Sequence, residues 1–185
     1  SLNVISNISN FGTGTNGSFV CGIASANATN TSIFRNKIFN LSNAGTSTSV
    51  TAPSQVIGII IRSGTTAVNI YNNMISLGNG QTTNTAFSGI LGNHGSTPDP
   101  VDNIYFNTIN IEGTVTAGAQ PSIGIGRTDF SATARTVTFN VKNNIINNAR
   151  TGGTGKHYAI VNNLGASTST ATGWAANSSN NNILN

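Results

Sequence analysis

Apolar positions recur along the chain in a short pattern, Asn-x-Ile, whose six copies are separated by 33, 37, 34, 37 and 37 residues. In the inner copies an apolar residue also stands three positions before the Asn, so each copy is a short segment of the kind that forms a β-strand. We call these copies the rungs. They are Asn3/Ile5, Asn36/Ile38, Asn73/Ile75, Asn107/Ile109, Asn144/Ile146 and Asn181/Ile183.

A second apolar pattern, Gly-Ile, alternates with the first at a similar period. Two interleaved patterns of this kind predict a solenoid, in which one structural unit stacks on copies of itself. Columns of Ile at about 4.8 Å per rung fit parallel sheets. The members of the second pattern are Gly22/Ile23, Gly58/Ile59, Gly89/Ile90, Gly124/Ile125 and, in the matching place, Ala159/Ile160.

The two patterns also predict local geometry. The odd spacing across each rung Asn places that Asn at a bend, in the left-handed or bridge region, and inward Asn side chains would form a hydrogen-bonded ladder. The residues on both sides of each Gly are expected to point inward, which makes Cys21, Ile57 and Tyr158 core residues. The polar segments between the patterns, which vary in length and hold or adjoin all four Pro, are predicted loops on one side of the rod.

Composition supports an all-β fold, because Ile and Val number 31 against six Leu, while Asn, Thr, Gly and Ser dominate the rest. Eight basic residues are scattered rather than clustered, which argues against a nucleic-acid interface. No apolar run approaches the roughly 20 residues of a membrane-spanning helix. Cys21 is the single cysteine, so it forms no intrachain disulfide.

The combined pattern GI-x-I…SG…V-x-I-x-N-N-x-I resembles the right-handed parallel β-helix repeat family of pectate-lyase-like solenoids, and in particular the repeat regions of large secreted bacterial surface proteins. That family also includes polysaccharide-active enzymes and phage tailspikes. The resemblance covers nearly the whole chain, and it implies a fold rather than an activity. We therefore expect an all-β, right-handed parallel β-helix of about five coils of 31–37 residues, with residues 1–185 as a single segment excised or processed from a longer repeat protein.

Residues able to carry catalysis are few, with only four acidic residues in the sequence. The candidates are His94, Asp99 and Asp102, which lie close together in one loop, and Lys156. Glycoside hydrolysis needs two carboxylates across the scissile bond, and Ca²⁺ needs six to eight oxygen ligands, so Asp99 and Asp102 are also the weak candidates for a metal site. The competing interpretation makes His94, Asp99 and Asp102 turn residues and places Lys156 in a strand beside the core residue Tyr158, with no resident cofactor.

Three functions follow as expectations. The first is a non-catalytic structural or adhesion module, extracellular or on the cell surface, whose loops contact glycans and whose partners are flanking repeats of the same longer chain or further copies of itself. The second is a fragment of a polysaccharide lyase or hydrolase that uses the candidates above. The third is a phage tailspike or fibre segment, which would be trimeric.

Overall fold

The computed structural model describes residues 2–49, 52–95, 97, 99–128, 137–164 and 179–185, and every regular element within them is a β-strand. In chain order, the strands of the first half are β1 (Asn3–Asn10), β2 (Phe19–Ser25), β3 (Thr31–Phe34), β4 (Asn36–Asn43), β5 (Gln55–Ile61), β6 (Ala67–Tyr71), β7 (Met74–Leu77), β8 (Ala86–Asn93) and β9 (Val101–Tyr105). Those of the second half are β10 (Thr108–Ile111), β11 (Thr114–Val115), β12 (Ser122–Thr128), β13 (Thr138–Lys142), β14 (Ile145–Asn148), β15 (Thr151–Gly152), β16 (His157–Leu164), β17 (Ser179–Asn180) and β18 (Ile183–Leu184).

The strands form three parallel sheets that run along the molecule. Sheet A has the order β1-β4-β7-β10-β14-β18, sheet B the order β16-β12-β8-β5-β2, and sheet C the order β17-β13-β9-β6-β3. Each turn of the solenoid gives one strand to each sheet, and the short pair β11–β15 forms an additional ladder. The predicted all-β parallel β-helix is confirmed, with about four turns rather than five, because sheets B and C contain five strands each and hence four intervals.

Columns of branched side chains fill the space between the sheets. Ile59, Ile90 and Ile125 of sheet B pair in register and are fully buried. Burial of such a side chain is worth about 1.5–3 kcal/mol, so the columns are the main favourable term that holds successive coils together. The columns opposite them are Ile38, Ile75, Ile109 and Ile146 in sheet A, and Ile33, Ile70, Ile104 and Val141 in sheet C.

The outermost members of the predicted columns are less buried than the inner ones. Ile5 of β1 pairs with Ile38, and Ile160 of β16 pairs with Ile125, so both keep the predicted register. Each lies on an edge strand with a neighbour on one side only, and both are partly buried residues that pack against the core. Ile5 and Ile160 therefore keep their predicted places in the columns, and their partial exposure reflects the absence of a further coil beyond them within the described residues. Ile183, at the other end of sheet A, is 63% exposed because it pairs with Ile145, an outward residue that is itself 49% exposed.

The bend between sheet C and sheet A lies one residue earlier than predicted. The left-handed residue is the one before each rung Asn, as at Phe106, where φ is 56°, while Asn107 itself is buried immediately before the next strand. The last predicted rung, Asn181/Ile183, is wrong for the same reason. Asn181 has a φ of 53° and occupies the bend, so the sixth rung is Asn182 with Leu184.

The Gly column of sheet B permits a close approach of sheet A. A Cβ atom on Gly58 would lie 2.7 Å from Cγ2 of Ile75 and 2.5 Å from the carbonyl oxygen of Gly89, so only glycine fits there. Ile59, after the Gly, also faces the central core, whereas Ile57, before it, faces the other side of the sheet. Ile57 packs with Cys21, Ile60 and Leu91 in a second apolar cluster, separate from the central core.

The inward placement predicted for the column of Ile57 is therefore wrong. Tyr158 belongs to the same column as Ile57 and lies two coils beyond Ser88. Its side chain is 44% exposed, so it is not a core residue. Cys21 is partly buried against the second cluster, and this burial raises the pKa of its thiol, while the charge of Arg62 lowers it to a smaller extent.

Candidate functional site

The buried Asn ladder is the most continuous polar feature of the molecule. The amide Nδ2 of Asn73 donates to Oδ1 of Asn107 at 2.9 Å and to the carbonyl oxygens of Ile33 and Tyr71 at 3.0 and 3.1 Å. Its backbone N–H donates to the same Oδ1 at 3.1 Å. Each Asn thus binds both its own bend and the next coil, and the ladder runs through Asn3, Asn36, Asn73, Asn107, Asn144 and Asn182.

Two of the predicted catalytic candidates meet, but in the interior. Nε2 of His94 lies 2.8 Å from Oδ2 of Asp102, and the two residues are 1% and 0% exposed. Asp102 is an inward residue of β9, in register with Val68 and Phe139, so the expectation that both candidates are solvated turn residues is wrong. Nδ1 of His94 lies 3.2 Å from the carbonyl oxygen of Thr65, which can only accept, so Nδ1 carries a hydrogen. The pair is therefore a buried hydrogen-bonded contact within the core.

The other two candidates lie elsewhere. Asp99 is exposed in the loop before β9, with a φ of 37°. Lys156 is exposed and immediately precedes β16, at the end of sheet B opposite to the end that His94 follows. A strand of seven residues spans about 23 Å at 3.3 Å per residue, so the four candidates do not converge on one surface. Among the residues that the structure describes, no group of three or more His, Cys, Asp or Glu could hold a metal ion.

An open groove of about 530 Å³ lies on the outer face of sheet A. It arises because β4 continues to Asn43, whereas β7 in the next coil ends at Leu77 and the backbone turns away. The groove is lined by Phe39, Asn40, Leu41, Ser42, Ser76, Gly78, Asn79, Gly80 and Gln81.

The wall of the groove is the turn Gly78–Gln81. Gly78 has a φ of 81°, and a Cβ atom on it would lie 2.3 Å from the carbonyl oxygen of Glu112, so the turn packs closely on the following coil. The N–H of Gln81 closes the turn on the carbonyl oxygen of Gly78 at 3.0 Å. Nε2 of Gln81 donates to the carbonyl oxygen of Asn43 at 2.9 Å, which ties the wall to the strand that forms the floor.

The chemistry of the groove combines one aromatic ring with neutral polar groups. Phe39 points outward and is flanked in register by Ser6 and Ser76, which are too small to cover the faces of its ring. Nζ of Lys37 lies 5.2 Å from the centre of that ring, within the range of a cation–π contact. No carboxylate is among the lining residues. An aromatic ring beside amides, hydroxyls and a cation suits a polar ligand with some apolar surface.

Sheet C carries a second outward aromatic feature with a different geometry. The rings of Phe34 and Tyr71 stack with their centres 5.0 Å apart and their planes at 1°, so each covers a face of the other. The hydroxyl of Tyr105 donates to Oδ1 of Asn103 at 2.9 Å, and partial burial raises the pKa of this phenol. The stacked rings connect successive coils, which is a structural role.

The fold and these sites define the class of the molecule as a parallel β-solenoid. Comparison with family models, with curated proteins and with solved structures finds no match to this chain. Membership of the pectate-lyase-like family therefore stays a prediction. Within the described part of the sequence, no helix is long and apolar enough to cross a membrane.

Sequence reasoning missed the groove, although two signals were present. Phe39 stands where the neighbouring coils have Ser6 and Ser76, and the segment Gly78–Gly80 follows β7 directly. An aromatic residue that breaks a column of small residues, next to a glycine turn in the following coil, marks a recess on this solenoid surface.

Proposed function

We propose that this protein is a non-catalytic structural or adhesion module that acts outside the cell or on its surface. A stiff β-helical rod displays loops and the groove on sheet A, and its mechanism is mechanical. The observation that carries the proposal is the buried Asn ladder, in which each carboxamide bonds the adjacent coil along the length of the rod. Of the four candidate catalytic residues, His94 and Asp102 contact each other in the interior. The other two, Asp99 and Lys156, are exposed and lie far apart.

The partners we propose are flanking repeats of the same longer chain, or further copies of it. β1, β2 and β3 are the edge strands of the three sheets at one end, and β18, β16 and β17 are the edge strands at the other. Edge strands offer unpaired N–H and C=O groups to any strand of matching register. Leu184, in register with the buried Ile146, is 51% exposed at one of these edges, and a stacked coil would cover it.

We propose further that the groove on sheet A is the place of glycan contact. The ring of Phe39 offers a surface for the apolar face of a sugar, and Ser76 and Asn79 make no side-chain hydrogen bond within the described residues. The cation of Lys37 and the lack of lining carboxylates favour an acidic glycan over a neutral one.

The test is a binding and turnover experiment on the purified protein. Acidic and neutral oligosaccharides are titrated by calorimetry, with and without Ca²⁺, and the same mixtures are analysed for cleavage products. We expect weak, saturable binding of the acidic ligand without cleavage. Phe39→Ser, which copies the neighbouring coils, should reduce binding at least tenfold, whereas Phe34→Ser on sheet C should leave it unchanged.

Each part of the proposal has its own contrary result. Cleavage that is lost in a folded Asp102→Asn variant would overturn the non-catalytic role. Equal binding by wild type and Phe39→Ser would remove the groove from the proposal. A trimeric mass in solution would favour a tailspike, and antibody labelling only of permeabilised cells would contradict the surface location.

A further inference from the structure

We infer that Asn79, in the wall of the groove, is a site of spontaneous deamidation. The sequence contains two Asn-Gly pairs, Asn79-Gly80 and Asn16-Gly17. Glycine after asparagine leaves the following backbone nitrogen without a neighbouring Cβ, so this nitrogen can reach Cγ of the asparagine. The fold makes the two pairs unequal.

The turn that contains Asn79 is open around the reacting atoms. Asn79 and Gly80 are both exposed, and a Cβ atom placed on Gly80 would meet no atom within 4 Å. The side chain of Asn79 makes no hydrogen bond within the described residues, and neither does the N–H of Gly80, so no contact there holds either group away from the other.

Asn16 and Gly17 are also exposed, but their backbone is confined. A Cβ atom on Gly17 would lie 2.3 Å from the carbonyl oxygen of Ala52 and 2.7 Å from its carbonyl carbon, so this backbone is packed against another loop. Attack on an asparagine amide requires rotation of the intervening backbone, and such packing opposes it. The rung Asn, such as Asn107, are buried and hydrogen-bonded through both Oδ1 and Nδ2, so they are protected further.

The reaction balances without an added oxidant or reductant. The backbone nitrogen of Gly80 forms a bond to Cγ of Asn79, the bond between Cγ and Nδ2 breaks, and ammonia leaves with the proton from that backbone nitrogen. Water then opens the cyclic imide at one of its two carbonyls. The products are aspartate, or isoaspartate with the backbone passing through Cβ and Cγ.

Both products change the groove. A carboxylate is introduced into a groove that has none among its lining residues. The aromatic ring of that groove, Phe39, contacts the cation of Lys37. Isoaspartate also adds a methylene group to the backbone inside the turn that Gln81 closes on Gly78 at 3.0 Å. Gln81 would then lose its fixed position above Asn43, so the wall itself would shift.

The test compares the two pairs in the folded and unfolded protein. The protein is kept at mildly alkaline pH and 37 °C, with and without denaturing urea, and peptide mapping by mass spectrometry follows deamidation at each asparagine over time. We expect Asn79 to react several-fold faster than Asn16 in the folded protein, and the two to react at similar rates in urea. Asn79→Gln should remove the main product, while the matched Asn16→Gln should leave it.

Two outcomes would overturn the inference. One is equal reaction of both pairs in the folded protein, which would mean that the turn gives Asn79 no advantage. The other is that folding slows the reaction at Asn79 and at Asn16 by the same factor, relative to their rates in urea. The fold would then protect both asparagines equally. Neither outcome bears on glycan binding, which is measured separately on fresh protein.

Discussion

The five described bends between sheet C and sheet A require a backbone conformation that most residues avoid. The left-handed region costs an L-residue about 1–2 kcal/mol, and Asn tolerates it best among non-glycine residues. Three of the bends accordingly have Asn72, Asn143 and Asn181, with φ values of 56°, 56° and 53°. The other two have Arg35 and Phe106, with φ values of 55° and 56°. These two side chains are therefore sites of local strain.

Phe106→Asn should stabilise the protein. The side chain of Phe106 is 58% exposed, so little apolar burial is lost, while the bend gains the residue type that its neighbours use. We expect a gain of about 0.5–1 kcal/mol in the free energy of unfolding, measured by urea denaturation. The reverse change, Asn143→Phe, is the matched control and should destabilise. A loss of stability in Phe106→Asn would show that the ring makes contacts that outweigh the strain.

The sequence allowed the period of the bends to be predicted but not their register. The pair Asn72-Asn73 and the triplet Asn180-Asn181-Asn182 offer several Asn in a row, and pattern alone does not say which one bends and which one enters the ladder. Register is settled by which amide finds hydrogen-bond partners in the next coil, and this depends on three-dimensional stacking. The interior placement of His94 and Asp102 is equally hidden in the sequence, because the two prolines between them, Pro98 and Pro100, are typical of a solvated loop.

At the scale of the element, the ladder Asn is the unit that joins one coil to the next. Asn107 donates through Nδ2 to Asn144 Oδ1, Ile70 O and Tyr105 O at 3.0, 3.0 and 3.1 Å. Its own Oδ1 accepts from the backbone N–H and Nδ2 of Asn73. All five bonds belong to a residue that is 1% exposed, so water cannot replace them without opening the coil.

Asn107→Ala should therefore cost much more than a change on the outer face. A buried partner left without a hydrogen bond costs about 1–3 kcal/mol, and several partners are orphaned here, so we expect a loss of at least about 3 kcal/mol in equilibrium urea unfolding. Asn103→Ala is the matched control. Asn103 also bonds across coils, to Asn69 at 3.0 Å and from Asn140 at 2.8 Å, but on the outer face where water can substitute. We expect a loss below about 1 kcal/mol there, and equal losses would mean that the inner ladder has no special role.

At the scale of the whole molecule, stability and display are divided between the interior and the surface. Each coil contacts mainly its neighbours, as in other solenoids, so the rod tolerates local differences in loop length. The groove exists because β7 is shorter than β4, and this change leaves the columns of the core in register. The Ile and Gly columns could be read from the sequence because they repeat. The groove could not, because it depends on a difference between two adjacent coils.

The central claim is that residues one period apart lie side by side in parallel register, and disulfide trapping tests it most directly. Asn69 and Asn103 are paired on the outer face of sheet C, and Asn140 lies one coil further. In a Cys21→Ser background, Asn69→Cys with Asn103→Cys places two thiols one strand spacing apart, about 4.8 Å, whereas Asn69→Cys with Asn140→Cys places them about 9.6 Å apart. We predict rapid intramolecular disulfide formation in the first variant and none in the second, measured by mass spectrometry of the oxidised, unfolded protein. Failure of the first pair to cross-link, or equal cross-linking of both, would contradict the in-register solenoid.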